Sequence, residues 1–297
     1  STVLLSIRIE PKLRACQTIF VDQDTMNKLD IPFNLSLLEL NDQTLSNLKQ
    51  VRVLDIFDGM TKNFHNDGLF STMIFGRVGD EGRSRRFSYI DIKVPILHPL
   101  IHHTLLQLKQ LYGEIINGKA YAIFDEKEKD FVKSDQTEGS TGYTFFMSRW
   151  KDIVFEERAS DSRDINIKLI KKYKDKAVTS KIVVLPAGLR DYEIEANGKE
   201  SENEFNNLYR RMIAIANSIS PVAVRGDLKQ LDASRVSLQR TFNEIYELFK
   251  SMLEGKKKLI MGKWATRGIH NGTRNVITST NVSIDSLFSE NMIGFND

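Results

Sequence analysis

Two stretches in the last third of the chain repeat apolar residues at alternating steps of three and four. Phe205, Leu208, Met212, Ile215 and Ile219 are spaced 3, 4, 3 and 4, and Leu238, Phe242, Ile245, Phe249 and Met252 are spaced 4, 3, 4 and 3. Only a helix brings residues at that spacing onto one face. Ser201 and Glu204 form a capping-box pattern ahead of the first stripe, Pro221 closes it, and Gly255 ends the second. Each seam needs a cover, and a polar connection lets the chain turn back. An antiparallel coiled-coil hairpin over 201–254 is therefore predicted, against the alternative of two ordinary amphipathic helices lying on a globular core.

The second helix leads into a charge anomaly. Between Glu254 and Asp285 there is no acidic residue, while Lys256, Lys257, Lys258, Lys263, Arg267 and Arg274 all fall there, with Trp264 and His270 among them. Such a run is the footprint of a polyanion site, because each neutralised phosphate releases condensed counterions. Gly262, Gly268 and Gly272 would let backbone amides approach phosphates closely. The competing reading is that Lys256, Lys257 and Lys258 complement the C-terminal dipole of the helix and that the rest are solvated. A Walker phosphate loop is excluded, since Lys257 stands where it needs a glycine and Trp264 where it needs Ser or Thr.

Composition makes this a folded chain. Its 297 residues are 41% hydrophobic, carry 42 Lys and Arg against 39 Asp and Glu, and include only 17 Gly and 6 Pro, which excludes disordered and collagenous classes. Cys16 is the only cysteine, so no disulfide framework or four-thiolate zinc site can form, and a reducing compartment is the simple expectation. No membrane span or signal-peptide layout is expected. Val3–Ile9, Val51–Phe57, Tyr89–Leu97 and Ile182–Leu185 read as strands. Pro99 opens a helix running towards Gly113, Asp125–Gly142 reads as a polar surface loop, and Asp191–Asn203 as a long loop or small hairpin.

Few residues converge on catalysis. His98, His102 and His103 offer an i, i+4 pair that could hold a metal, but with no third ligand nearby a packing or surface role is expected. Asp22 and Asp24, or Asp125, Glu126 and Glu128, sit in polar stretches without a convergent partner, and solvated charge is the default. No nucleophile signature is present. On its own residues the chain does not carry a complete active site.

Four separated segments resemble, in the correct order, the largest (β′) subunit of multisubunit DNA-dependent RNA polymerases. They are DGLFSTMIFGRV at 67–78, YIDIKVPILH at 89–98, VVLPAGLRDYEI at 183–194 followed by NEFNNLYRRMIAIAN at 203–217, and GKKKLIMGKWATRGIHNGTRNVI at 255–277. The resemblance implies an α+β fold, a β′ clamp with a coiled-coil hairpin that ends in the first strands of an incomplete double-psi β-barrel. Residues 1–104 would be the N-terminal clamp with a zipper-like loop at Asp58–Asn66, and 105–200 a clamp region ending in a lid. Residues 201–254 would be the clamp helices, and 255–297 a switch-two-like basic segment leading into the barrel. Stretch 105–180 matches nothing in the family.

The same resemblance implies roles. Lys256, Lys257, Lys258, Lys263, Arg267 and Arg274 would contact template and RNA–DNA hybrid, and Arg190, Asn197 and Lys199 would belong to the lid that parts RNA from template. At the helical tip, Arg225, Lys229 and Arg235 would dock a promoter-specificity (sigma-like) factor. Where the family inserts a four-cysteine zinc ribbon this chain has only RVGDEGRSR, so no zinc is expected, and Met261 and His270 replace a family Arg and Asp. The magnesium-binding NADFDGD motif is absent. These departures lead to the expectation of an N-terminal half of a split β′ from a large bacteriophage. It would be inactive without a partner chain holding Mg2+, would assemble with the C-terminal half of β′ and the β subunit, and would be poorly soluble alone. Host cytoplasm is the expected location, with packaging in the virion left open. A stand-alone nucleic-acid-binding coiled-coil adaptor is the competing function.

Overall fold

The computed structural model of the chain describes residues 48–59, 63–156, 160–194 and 200–264. The strand expected at Val3–Ile9, Cys16, Asp22 and Asp24 lie outside them. The chain divides into two units, Ser1–Phe249 and Lys250–Asp297. Among the described residues the fold is mixed α and β, with many short helices and three two-stranded antiparallel sheets.

The first unit is built around β1 (Ser88–Leu97), whose residues alternate buried and half-buried as a strand against a core demands. Ile90, Ile92, Val94 and Ile96 form the buried row. β1 pairs with β4 (Val178–Val184) from Ser88↔Val184 to Asp91↔Lys181, then loses register and resumes at Ile96↔Thr179. Residues 92–95 therefore stand opposite residue 180 alone. Lys93 takes φ 63° within this bulge, and Pro95 has no N–H to give. Carbonyl and amide groups freed by the bulge need partners from elsewhere.

For Pro95 O the partner is Arg235 on the second of two late helices, α6 (Glu204–Ser218) and α8 (Asp232–Leu253), and both helices bond to the strand around the bulge. Gln239 pairs with the Leu97 peptide in both directions, its Oε1 accepting from Leu97 N at 2.9 Å and its Nε2 donating to Leu97 O at 2.9 Å. Lys93 Nζ donates to Ala216 O at 2.7 Å and Ile219 O at 3.0 Å, closing the carbonyl end of α6, where a cation also suits the helix dipole. The helices do run antiparallel beside each other. Phe205 meets Phe249 at 5.6 Å between ring centroids, and Arg211 Nη1 pairs with Glu244 Oε2 at 2.6 Å.

Their buried stripes are nevertheless wider than a heptad seam. On α6 the buried residues are Phe205, Asn206, Tyr209, Met212, Ile213 and Ala216, whereas Leu208 and Ile215 are only half-buried. On α8 burial runs from Arg235 to Ile245, and Met252 is exposed. Both helices thus lie on the globular core, the arrangement that the sequence pattern left open beside the coiled coil. The cap of α6 also differs: Asn203, not Ser201, accepts from Phe205 N at 3.1 Å.

Between the two strands of the central sheet lie α2 (Pro99–Leu108), α3 (Gln110–Ile116), the hairpin β2 (Tyr121–Asp125) and β3 (Asp130–Ser134), α4 (Tyr143–Arg149) and α5 (Asp161–Tyr173). The expected surface loop at 125–142 is corrected here. Asp125 pairs with Asp130 across a tight turn, with Lys129 at φ 51°, and Phe131 is buried against Tyr112, Phe124, Phe145 and Phe146. Such ring pairs contribute about 0.5–1.5 kcal/mol each beyond burial, enough to hold a hairpin whose turn is charged. Val51–Phe57, expected as a strand, forms only isolated bridges, at Val53↔Gly68 and Phe57↔Phe64. The rest of the first unit comprises α1 (Thr72–Phe75), a short hairpin of β5 (Glu193–Ile194) and β6 (Glu200–Ser201), and α7 (Pro221–Arg225).

Candidate nucleic-acid interface

In the second unit Gly255 breaks the helix with φ 121°, a conformation that favours glycine. Lys258 N then donates to Gly255 O at 3.0 Å and Gly262 N to Lys258 O at 2.7 Å, tight turns that lead into a π-helical stretch at Leu259–Trp264. A Cβ on Gly262 would lie 2.8 Å from the carbonyl carbon of Lys257, so the coil closes only because that residue is glycine. Lys256, Lys257, Lys258 and Lys263 are all exposed, as are Leu259, Ile260 and Met261. The lysines stand beyond the last turn of α8, where a helix dipole has little hold. Among the described residues none of the four is in an ion pair. The arrangement is an exposed coil of cations beside apolar side chains, able to meet phosphates. Arg267 and Arg274 lie outside the described residues.

The lid assignments divide. Asn197 and Lys199 lie outside the described residues, between β5 and β6. Arg190 is corrected: it is 2% exposed and belongs to the core. Its Nε donates to Leu185 O at 3.0 Å, Nη1 to Asn206 Oδ1 at 2.7 Å and Nη2 to Leu69 O at 2.8 Å, while the rings of Phe70, Phe75 and Tyr209 surround the guanidinium. Burial pulls its pKa down to about 10, which leaves it charged at neutral pH.

Of the three residues expected at the helical tip, Arg225 and Lys229 are exposed, next to Val222 at 78% exposure. Arg235 is the second correction. It lies on the buried stripe of α8, with Nε and Nη2 donating to Pro95 O at 3.1 and 2.8 Å and Nη1 to Thr144 Oγ1 at 3.0 Å, over the Tyr143 ring. The carbonyl it serves belongs to the β1 bulge, which draws the side chain inward.

The histidines pack rather than converge. His98 caps α2, its Nδ1 accepting from Leu100 N at 3.2 Å, and its ring meets Phe242 and Tyr246 edge-on. With Nδ1 accepting, Nε2 carries the proton, and it is buried without a hydrogen-bond partner among the described residues. His102 Nδ1 lies 3.2 Å from Asn243 Nδ2, and exposed His103 meets Gln107. Among the described residues no three His, Cys, Asp or Glu side chains group as metal ligands. Asp125 instead accepts from Lys127 N at 2.8 Å, and Glu126 pairs with Lys129 at 2.9 Å, both within the β2–β3 turn.

Burial lowers the pKa of His98 well below its usual value and that of His102 to about 4. Both imidazoles are neutral when folded, so the unfolded chain binds more protons once the pH falls below about 6.5. Stability from this source is complete above that pH and is lost as the pH falls towards about 4, at up to about 1.4 kcal/mol per pH unit per imidazole. Urea titrations at pH 7.5 and 5.0 should show His98→Asn, which keeps a capping side chain, losing less on acidification than the wild type.

Sequence reasoning missed a cavity of about 330 Å³ beside α3, lined by Lys109, Tyr112, Asp130 and Arg163 among others. Two of its charges are engaged with each other. Asp130 accepts from Lys109 Nζ at 2.6 Å and from Tyr112 OH at 2.7 Å. Also missed was Arg83, buried at 1% exposure and bonded in two places to Asp191. No signal in the sequence separates it from the exposed arginines on either side.

No family model matches this chain, and no curated protein matches it.

Among the described residues no helix is long and apolar enough to cross a membrane.

Proposed function

We propose that this chain is part of the largest subunit of a multisubunit RNA polymerase. It would serve template-directed nucleotidyl transfer by gripping template and hybrid through the basic coil after α8, parting RNA at the β5–β6 hairpin, and offering the α7 tip, with Arg225 and Lys229, to a promoter-specificity factor. The carboxylates that hold catalytic magnesium are not among these 297 residues, so the two-metal chemistry would belong to another segment of the enzyme.

One observation supports this reading beyond the motifs themselves. Three of the four resembling segments, far apart in sequence, are neighbours in space. Tyr89 pairs with Val183, Arg190 reaches back to Leu69 O and forward to Asn206, and Leu185 N donates to the Tyr209 hydroxyl at 3.3 Å. The test is a tagged chain purified from its natural source. Recovery with large subunits, one bearing NADFDGD, and RNA synthesis on a DNA template are expected. A monodisperse monomer that binds nucleic acid alone would refute the assignment in favour of an adaptor.

A further inference from the structure

Two short paired segments share one root. Phe57 and Phe64 form an antiparallel bridge, with Asp58 N donating to Asn63 O at 3.1 Å and His65 N to Ile56 O at 2.9 Å. The β5–β6 hairpin begins immediately after Asp191 and Tyr192. Tyr192 meets Phe57 at 6.3 Å and Phe70 at 5.8 Å, both edge-on, while Phe64 stacks on Phe57 at 5.6 Å. These rings join the two segments from the side.

Arg83 closes the same root from below. Its Nε donates to Asp191 Oδ2 at 2.8 Å and Nη2 to Asp191 Oδ1 at 2.6 Å, the two-pronged geometry that fixes a carboxylate in orientation as well as distance. Nη1 donates to Gly76 O at 2.7 Å and Nη2 to Phe70 O at 3.2 Å, and the guanidinium lies 5.8 Å from the Phe64 ring centroid. Its own turn is pinned in place. A Cβ on Gly188 would lie 2.9 Å from Ser84 N and 3.0 Å from Arg83 C, so the turn Ala187–Leu189 rests directly on the backbone that carries Arg83. A buried guanidinium with a carboxylate, two carbonyls and a ring around it is fixed on every side.

We propose that Arg83 is a positioning residue: by clamping Asp191 it holds the β5–β6 hairpin and the Phe57–Phe64 pair in one fixed relation, so that the two act as a single edge. The clamp stands on these contacts alone. Its purpose, keeping RNA and template apart, rests on the polymerase reading.

Hydrogen exchange on the full chain tests the clamp. In Asp191→Asn, and independently in Tyr192→Leu, the amides of Asp58, His65 and Ile194 should exchange at least tenfold faster together, while those of β1 and β4 keep their protection. Faster exchange at Ile194 with Asp58 and His65 unchanged would overturn the coupling, and so would no change at any of the three. Should Asp191→Asn also strip protection from β1 and β4, Tyr192→Leu, which leaves the ion pair intact, decides between these outcomes. Purpose is read in the assembled complex. Asp191→Asn should add nucleotides to a preformed short hybrid at the wild-type rate, yet leave at least threefold more upstream RNA open to ribonuclease H. A wild-type complex that transcribes while the variant matches it refutes the positioning role. A wild-type complex that makes no RNA refutes the polymerase reading and leaves the exchange result standing.

Discussion

Replacing Arg190 with alanine is expected to cost about 3–5 kcal/mol of folding stability, the scale set by leaving several buried acceptors without donors. Three acceptors, Leu185 O, Asn206 Oδ1 and Leu69 O, would lose their donors at once inside the core. Each orphaned group costs about 1–3 kcal/mol, and the three do not add fully because they share one void. Asn206 would keep one of its two anchors, because its Nδ2 donates at 2.9 Å to the main-chain carbonyl of residue 190, which the substitution leaves in place. Lysine is not a substitute here. One ammonium head cannot reach three acceptors arranged around a planar fork. Methionine would fill the space among Phe70, Phe75 and Tyr209 and should recover part of the packing but none of the hydrogen bonds. Urea titration monitored by the tryptophans gives the measurement, and a loss below about 1 kcal/mol for Arg190→Ala would mean that water replaces the guanidinium freely.

The same chemistry explains which parts of the molecule could be read from its sequence. Periodicity marked α6, α8, β1 and the opening of α2 at Pro99, because their burial is decided by one face of a regular element. It failed where a long cation is the structural group. Three buried arginines, Arg83, Arg190 and Arg235, each donate to main-chain carbonyls. Among the described residues the sheets have two strands each, so much loop backbone there has no ladder partner and must find donors elsewhere. Guanidinium, with five donors in one plane, suits that task. Nothing in the residue type distinguishes this role from a solvated or ligand-binding one, which is why Arg190 was expected in a lid and Arg235 at a tip. The β2–β3 hairpin was missed for the opposite reason: charges in its turn hide the buried Phe131 and Ala122 that hold it. For the basic coil, the sequence supplied the absence of acids, and the structure adds that four of its lysines are exposed and among the described residues unpaired.

Changing Lys256, Lys257, Lys258 and Lys263 together to alanine is expected to weaken binding of the full chain to an RNA–DNA hybrid by about three orders of magnitude near 0.1 M salt, the scale set by counterion release from four phosphate contacts. The salt dependence is the sharper readout. If all four touch phosphates, the slope of log affinity against log salt should become shallower by about 3 units, and a single change by about one. Folding should be untouched, because the side chains are exposed and make no ion pair among the described residues; the melting temperature is the control. Arg225 and Lys229 provide the comparison within the same chain. They are exposed too, but Asp227 stands between them, so nearby negative charge offsets their field and their removal should leave the slope nearly unchanged. Equal effects from the two sets would mean that any surface cation contributes alike, and a slope unmoved by the four lysines would mean that they face solvent when the nucleic acid is bound.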